Sequence, residues 1–225
     1  MSGGRRWDIL GVGDADVDLF LQMPRLPGRD EKVLGELLGE CPGGIVANFC
    51  YAARRMGSRV ALASIVGDDR YGELALAGLR EAGVDVGPVV VKAGGRTYFC
   101  VVQLDESGEK ALTVVATDCL GPGRDDVDPD SFGAARLVHL FAAEMDFTIW
   151  AAWEAKRRGA LVSLDIEAAS RGEPRAGLDK LLAHVDLAFP NAGGLREIAG
   201  DDLLAGAREL LGLGPRIVVV TMGAR

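Results

Sequence analysis

The 225 residues carry 33 acidic side chains against 25 Lys and Arg, a formal net charge of −8, with an isoelectric point near 4.9. That balance lacks the basic footprint that nucleic acid or an anionic membrane requires, so neither is expected as a partner. With 48% hydrophobic and 26% charged residues, the chain falls outside the disordered class and can bury its core as one α/β domain over 1–225.

Taken in chain order, the opening MSGGRRWDILGVG has charge but only a short apolar run, so it is not read as a secretory leader. No later stretch is long enough to span a bilayer, and the cytoplasm is the expected compartment. Residues 7–13 end in glycine and read as a buried strand. Residues 17–24 and 32–40 look extended, with no helix between them. Residues 44–56 read as a helix in which Ile45, Phe49, Ala52 and Met56 share the face toward the core, with Gly57 suited to a left-handed cap. A strand over 59–67 and a helix over 70–83 follow. Residues 97–105 and 109–116 are rich in β-branched and aromatic side chains and flank a short turn, which argues a hairpin. Strands at 136–143, 160–166, 186–190 and 216–223 alternate with helices at 147–159, 177–185 and 201–214. Strands separated by helices imply βαβ units and a parallel sheet with helices on both faces. The two extended pairs, within about 15–40 and 96–117, are expected as a small antiparallel flap over that sheet.

The four cysteines, Cys41, Cys50, Cys100 and Cys119, form no Cys-x-x-Cys pair, and only His139 and His184 could join them, which argues against zinc and against a disulfide framework. GVGDAD at 11–16 has Asp where a dinucleotide fingerprint needs its third Gly, and no phosphate-loop or nucleophile-elbow pattern occurs. What remains is a polar constellation. Asp14, Asp16 and Asp18 alternate along an extended stretch and so share a side. Gly43 and Gly44 open the 44–56 helix, and Asn48 sits one turn inside it, where Asn is a poor helix former. A solvated acidic turn beside an ordinary core helix is one reading. A pocket of carboxylate and neutral polar groups suited to a polyhydroxylated ligand is the other.

On these residues the chain resembles the ribokinase-like (PfkB) carbohydrate kinase family along nearly its whole length. ILGVGDADVDLFLQMPRLPGRDEKV is similar to the family's first strand, substrate-binding Asp and lid. CPGGIVANFCYAARRMGSRVALASIVGDDRYG resembles its first signature. LAFPN and the Thr-x-Gly-x-Arg turn of GPRIVVVTMGAR resemble its nucleotide half. The resemblance implies a three-layer α/β/α fold with a mainly parallel sheet and a small β-sheet lid. It implies ATP and Mg2+ as cofactors, and a small sugar or nucleoside as substrate. It also allows a homodimer formed through the lid. Residue by residue, it places Asp16, Gly43, Gly44 and Asn48 at the acceptor, and Asn191, Thr221 and Gly223 at the nucleotide.

Two departures accompany it. The family's Asn-x-x-Glu would put Glu at 194, where this chain has Gly; Glu197 lies three residues further on, and no metal ligand is assigned. The family's Gly-Ala-Gly-Asp run, which supplies the anion hole and the catalytic base, matches nothing in 1–225. The base is therefore expected beyond Arg225, with this chain carrying the acceptor half and alone inactive, since losing a general base costs roughly 10² to 10⁴ in rate. A sugar kinase leads; a non-catalytic sugar-binding relative and a nucleoside kinase are the alternatives.

Overall fold

The structure, a computed structural model, describes residues 5–168 and 177–223. In chain order its elements are β1 (Trp7–Val12), β2 (Asp16–Gln22), β3 (Glu36–Gly43), α1 (Ile45–Arg55), β4 (Val60–Ala63), β5 (Ile65–Gly67), α2 (Arg70–Ala82), β6 (Val90–Lys92), β7 (Phe99–Leu104), β8 (Lys110–Val115), α3 (Asp130–Gly133), β9 (Ala135–Phe141), α4 (Met145–Arg157), β10 (Leu161–Ile166), α5 (Leu178–Leu182), β11 (Leu187–Pro190), α6 (Ala192–Ala199), α7 (Leu203–Leu213) and β12 (Ile217–Val218). They gather into two compact units, one comprising 1–12, 58–60 and 128–225, the other 13–57 and 61–127.

The first unit is the parallel layer anticipated from the βαβ rhythm. Its strands run in the order β12-β11-β10-β9-β1, with β4 next to β1 as the sixth strand of the sheet, and the four pairs from β12 to β1 are parallel. Leu10, Val138, Leu140, Val162, Leu164 and Ala188 are all but completely buried, as expected of parallel strands covered on both faces. α4 turns Ala151, Ala152 and Ala155 inward. Its Glu154 is buried and held by Arg157 at 2.7 Å and by Arg158. Asp186 ties the sheet to α4, accepting from the Val162 amide at 2.8 Å and from Lys156 at 2.8 Å. His139 lies inside this sheet against the Ser163 hydroxyl at 2.9 Å, and burial pushes its pKa down to about 4, so it is a neutral structural group.

The second unit holds a four-stranded sheet in the order β3-β2-β7-β8, a two-stranded parallel sheet of β5 and β6, and helices α1 and α2. The predicted flap is this four-stranded sheet, but it is not antiparallel throughout. β2–β3 and β7–β8 are antiparallel hairpins, whereas the central β2–β7 pair is parallel, with Asp18 opposite Cys100. α2 begins where GDDRYG predicts. Asp69 caps its first turn, accepting from the Gly72 amide at 2.8 Å, and takes the Thr97 hydroxyl at 2.7 Å from the foot of β7.

Other expectations are corrected. The run 59–67 is two strands, broken at buried Ser64, because β4 and β5 belong to different sheets. The core face of α1 is Val46, Ala47 and Cys50. Met56, expected inside, is 88% exposed, and Ala52 is exposed as well. Both stripes are apolar, and the helix is rotated so that Val46 fits against Gly13, where any side chain would overlap Val46 Cγ2. Gly57 does take a positive φ of 96° and donates to the Arg54 carbonyl. β3 reaches Gly43 rather than ending at 40, and the final strand shortens to two residues plus a bridge at Thr221. β6, α3 and α6 have no counterpart in the sequence reading.

Candidate active site

The sharp entry into β2 organises the site of the second unit. Asp14 precedes the strand and turns toward α1, whose first amides have no helical partners. Its two oxygens accept from Ile45 N at 3.0 Å and Val46 N at 2.9 Å, and Oδ2 also takes the Tyr98 hydroxyl at 2.9 Å. Asp14 is thus a helix cap supplied from 31 positions away, which is why Gly44, the formal N-cap, bonds with no side chain. Gly44 holds φ 99°, and a side chain there would come within 2.9 Å of the Asp14 carbonyl and Ala15 Cα.

Asp16 and Asp18 face the other glycine. A side chain at Gly43 would overlap Asp16 Oδ1 and come within 2.8 Å of Asp18 Oδ2. The space beside Gly43 is therefore occupied by two carboxylates. Asp16 is 2% exposed. Its Oδ2 accepts from the Cys100 thiol at 3.3 Å, while its Oδ1 is buried with no hydrogen-bond partner. Asp18 is half-buried. Oxygens of the two carboxylates and the Cys100 sulfur lie within 4.8 Å of one another.

Burial, with the charges of Asp14 and Asp18 adding to it, pushes Asp16 up to about 7. Burial raises Asp18 as well, against the pull of Lys110. The same surroundings raise the Tyr98 hydroxyl and the Cys100 thiol, mainly through burial, so both stay protonated and act as donors. Asn48 lies exposed on the first turn of α1, its amide donating to the Gly44 carbonyl at 2.9 Å. Asp16, Gly43, Gly44 and Asn48 thus share one corner, where β2, β3 and α1 meet. Asp18 was visible as the third member of an alternating acidic stretch. Tyr98 and Cys100 carried no signal, because their place depends on the long-range β2–β7 register.

In the first unit, Asn191 and Thr221 are backbone neighbours. The Ala192 amide donates to the Thr221 carbonyl at 2.9 Å, and the Thr221 amide to the Pro190 carbonyl at 3.0 Å. Asn191 Oδ1 caps α6 by accepting from Gly194 N at 2.7 Å. Thr221 is exposed, and Gly223 has φ 66° with open space where a side chain would stand. Arg225, the last residue of that turn, lies outside the described residues. At Gly194 there is no room: a Cβ would sit 2.8 Å from the Ile166 carbonyl oxygen. Here the glycine is demanded by the close approach of α6 to the end of β10.

The sequence model described as "pfkB family carbohydrate kinase" matches residues 8–225. A fructokinase of Klebsiella pneumoniae is 32% identical over 98% of this chain and 71% of its own length. A nucleoside kinase of Methanothermobacter thermautotrophicus is 25% identical over 96% of this chain and 70% of its own. Among solved structures, an Arabidopsis thaliana ribokinase complexed with ribose and ATP superposes with a TM-score of 0.80 at 22% identity, covering 97% of this chain and 72% of that one. A Xylella fastidiosa fructokinase with bound ATP gives 0.75 at 23%, covering 97% and 73%.

Proposed function

The chain belongs to the pfkB family of carbohydrate kinases, and from that premise we propose that it binds a small sugar at Asp16, Asp18, Gly43, Gly44 and Asn48 for ATP-dependent phosphoryl transfer to one sugar hydroxyl. The observation that carries the reading is the buried, unpartnered Oδ1 of Asp16. A sealed acceptor atom without a donor is costly in a folded protein, and a sugar hydroxyl supplies the missing donor. Cys100 holds the other oxygen, so Oδ1 keeps one direction. Gly43 makes room for the two carboxylates, and Asp14 fixes the first turn of α1, which carries Asn48. The β3-β2-β7-β8 sheet is the lid of this reading, its closure excluding water that would compete with the hydroxyl.

ATP supplies the phosphoryl group. Thr221 and Gly223 fit its pocket, since the exposed hydroxyl and the open turn leave room for a ligand. Asn191 already spends its oxygen on the α6 cap and has its amide nitrogen for a phosphate. The residues do not fit a Mg2+ ligand at 194, where no side chain has room, so none is assigned. Cys41, Cys50, Cys100 and Cys119 form no disulfide, which suits a reducing cytoplasm. Exposed Leu37 and Leu38 on β3, with Leu112 and Val114 on β8, suit a second copy of this sheet, and sedimentation velocity reads whether the chain dimerises.

A nucleoside kinase is the second reading, favoured by the methanogen relative; a nucleoside offers the same ribose hydroxyls to Asp16. Calorimetry with a panel of sugars and nucleosides decides between them. For the acceptor that binds, Asp16→Ala is expected to weaken affinity at least tenfold, since a hydrogen bond to a charged group contributes about 1.5 to 3 kcal/mol. Asn48→Ala should keep its melting temperature, because the residue is exposed, and lose most of the stabilisation by acceptor. Unchanged dissociation constants in both variants would remove this corner from the acceptor site. Acceptor-dependent ADP release separates a kinase from a non-catalytic sugar-binding relative.

A further inference from the structure

Hydroxyl recognition accounts for one carboxylate, and this corner has two with a third behind them. Asp14 is neutralised in part by the first amides of α1 and by Tyr98. Among the described hydrogen bonds, neither Asp16 nor Asp18 accepts from a main-chain amide. Their oxygens crowd Gly43 from two sides. The donor on Asp16 is a thiol, among the weakest available. Lys110 acts on Asp18 through space, and no ion pair to Asp16 or Asp18 occurs among the described residues. Asp16 is sealed from water and still leaves Oδ1 without a donor, set against Gly43 beside Asp18 Oδ2. A neutral sugar would donate one hydrogen per hydroxyl and leave the like charges opposed. An ammonium group brings positive charge and three donors, enough for both oxygens at once.

We propose that the preferred acceptor is a small sugar carrying a primary amine, its ammonium group seated between Asp16 Oδ1 and Asp18 Oδ2 over Gly43. The inference rests on the acceptor reading above and specifies its substrate class. A cluster of carboxylates with a thiol also has the composition of a cation site, but magnesium retains several waters and demands octahedral oxygen ligands. An organic ammonium needs only acceptors within reach.

The test is calorimetry at pH 7, where the amines are ammonium ions, with matched pairs: glucosamine and glucose, mannosamine and mannose, 1-amino-1-deoxyfructose and fructose, each amine also in its N-acetylated form. In at least one pair the amine is expected to bind tenfold or more tightly than its hydroxyl counterpart. Acetylation, which removes the charge, should abolish that margin. Asp18→Asn should bring the pair to parity, and its circular-dichroism melt establishes that the variant is folded. Should that variant not fold, the acetylated sugars still decide on the unaltered protein. Neutral sugars binding as tightly as their amines would overturn the inference and leave the sugar-kinase reading standing. A margin that survives acetylation, or that persists in folded Asp18→Asn, would overturn it as well. No binding by any member of any pair would overturn both readings.

Discussion

A carboxyl group that folds into the interior without a cation holds its proton longer than it does in water, and Asp16 is the residue here to which this applies most strongly. Its pKa stands near 7 against an ordinary 3.8, pushed there by burial and by the facing carboxylates of Asp14 and Asp18, while Cys100 and Tyr98 pull the other way. Below pH about 4 both the folded and unfolded chains are protonated at this group, and its contribution to stability is whole. As pH rises toward 7 the unfolded chain releases the proton first, so stability falls until the folded group ionises too. The shift corresponds to at most about 4 kcal/mol. Other groups titrate in the same range, so the informative quantity is a difference. Relative to Asp16→Asn, the unaltered protein should lose stability between pH 5 and 8, measured as urea midpoints at each pH. A difference that stays flat, or that grows in favour of the unaltered protein, would mean that Asp16 is ionised in the folded chain throughout.

At the scale of elements, glycines set how closely pieces of backbone meet, and Gly194 does so between α6 and β10. Alanine is the better helix former by about 1 kcal/mol. In α6 it should nonetheless destabilise, because its methyl would meet backbone atoms of Ile166 and Glu167 that cannot swing aside. Overpacking of this kind costs about 1 to 3 kcal/mol, so Gly194→Ala should unfold at lower urea. A Gly194→Ala variant as stable as the parent would mean that α6 can move off β10. This also bears on what could be read in advance. The family pattern marks Gly194 as a departure, and only the three-dimensional packing gives it a reason. The parallel layer was legible because fully buried strands are uniformly apolar and alternate with amphipathic helices. The same uniformity hid the break at Ser64, since an apolar run carries no sign of changing sheets. The β7–β8 hairpin is legible from its short turn and β2 and β3 only as extended segments, and nothing local says that β2 and β7 pair in parallel. With that pairing went Tyr98 and Cys100, whereas Asp16, Gly43, Gly44 and Asn48 stood within reach of sequence motifs. The rotation of α1 was missed because two apolar stripes competed and the choice rested on Gly13.

For the molecule as a whole, the two units divide the proposed chemistry. The proposed acceptor residues Asp16, Asp18, Gly43, Gly44 and Asn48 all belong to the second unit, and the proposed nucleotide residues Asn191, Thr221 and Gly223 to the first. Hydrogen exchange should reflect that division. An acceptor that binds at Asp16 should slow exchange of amides within 14–18, 43–50 and 98–102, and ATP should slow those within 190–194 and 221–223. Acceptor-induced protection confined to the first unit would place the sugar elsewhere.

The path of the chain through the first unit has a consequence for how the protein is made. β1 leaves the ribosome early, yet Trp7 pairs with Ala135 and Val12 with Leu140. Between them comes the whole second unit, interrupted by Ser58–Val60 of the first, whose Arg59 carbonyl accepts from Asp8 N and Ile9 N. During synthesis the second unit can therefore complete its sheets and helices while the edge of β1 that β9 will cover is still open. Contacts of such long sequence separation form slowly, and an unpaired strand edge is prone to self-association in the interval. β1 thus keeps one apolar edge unpaired in the nascent chain until β9 emerges.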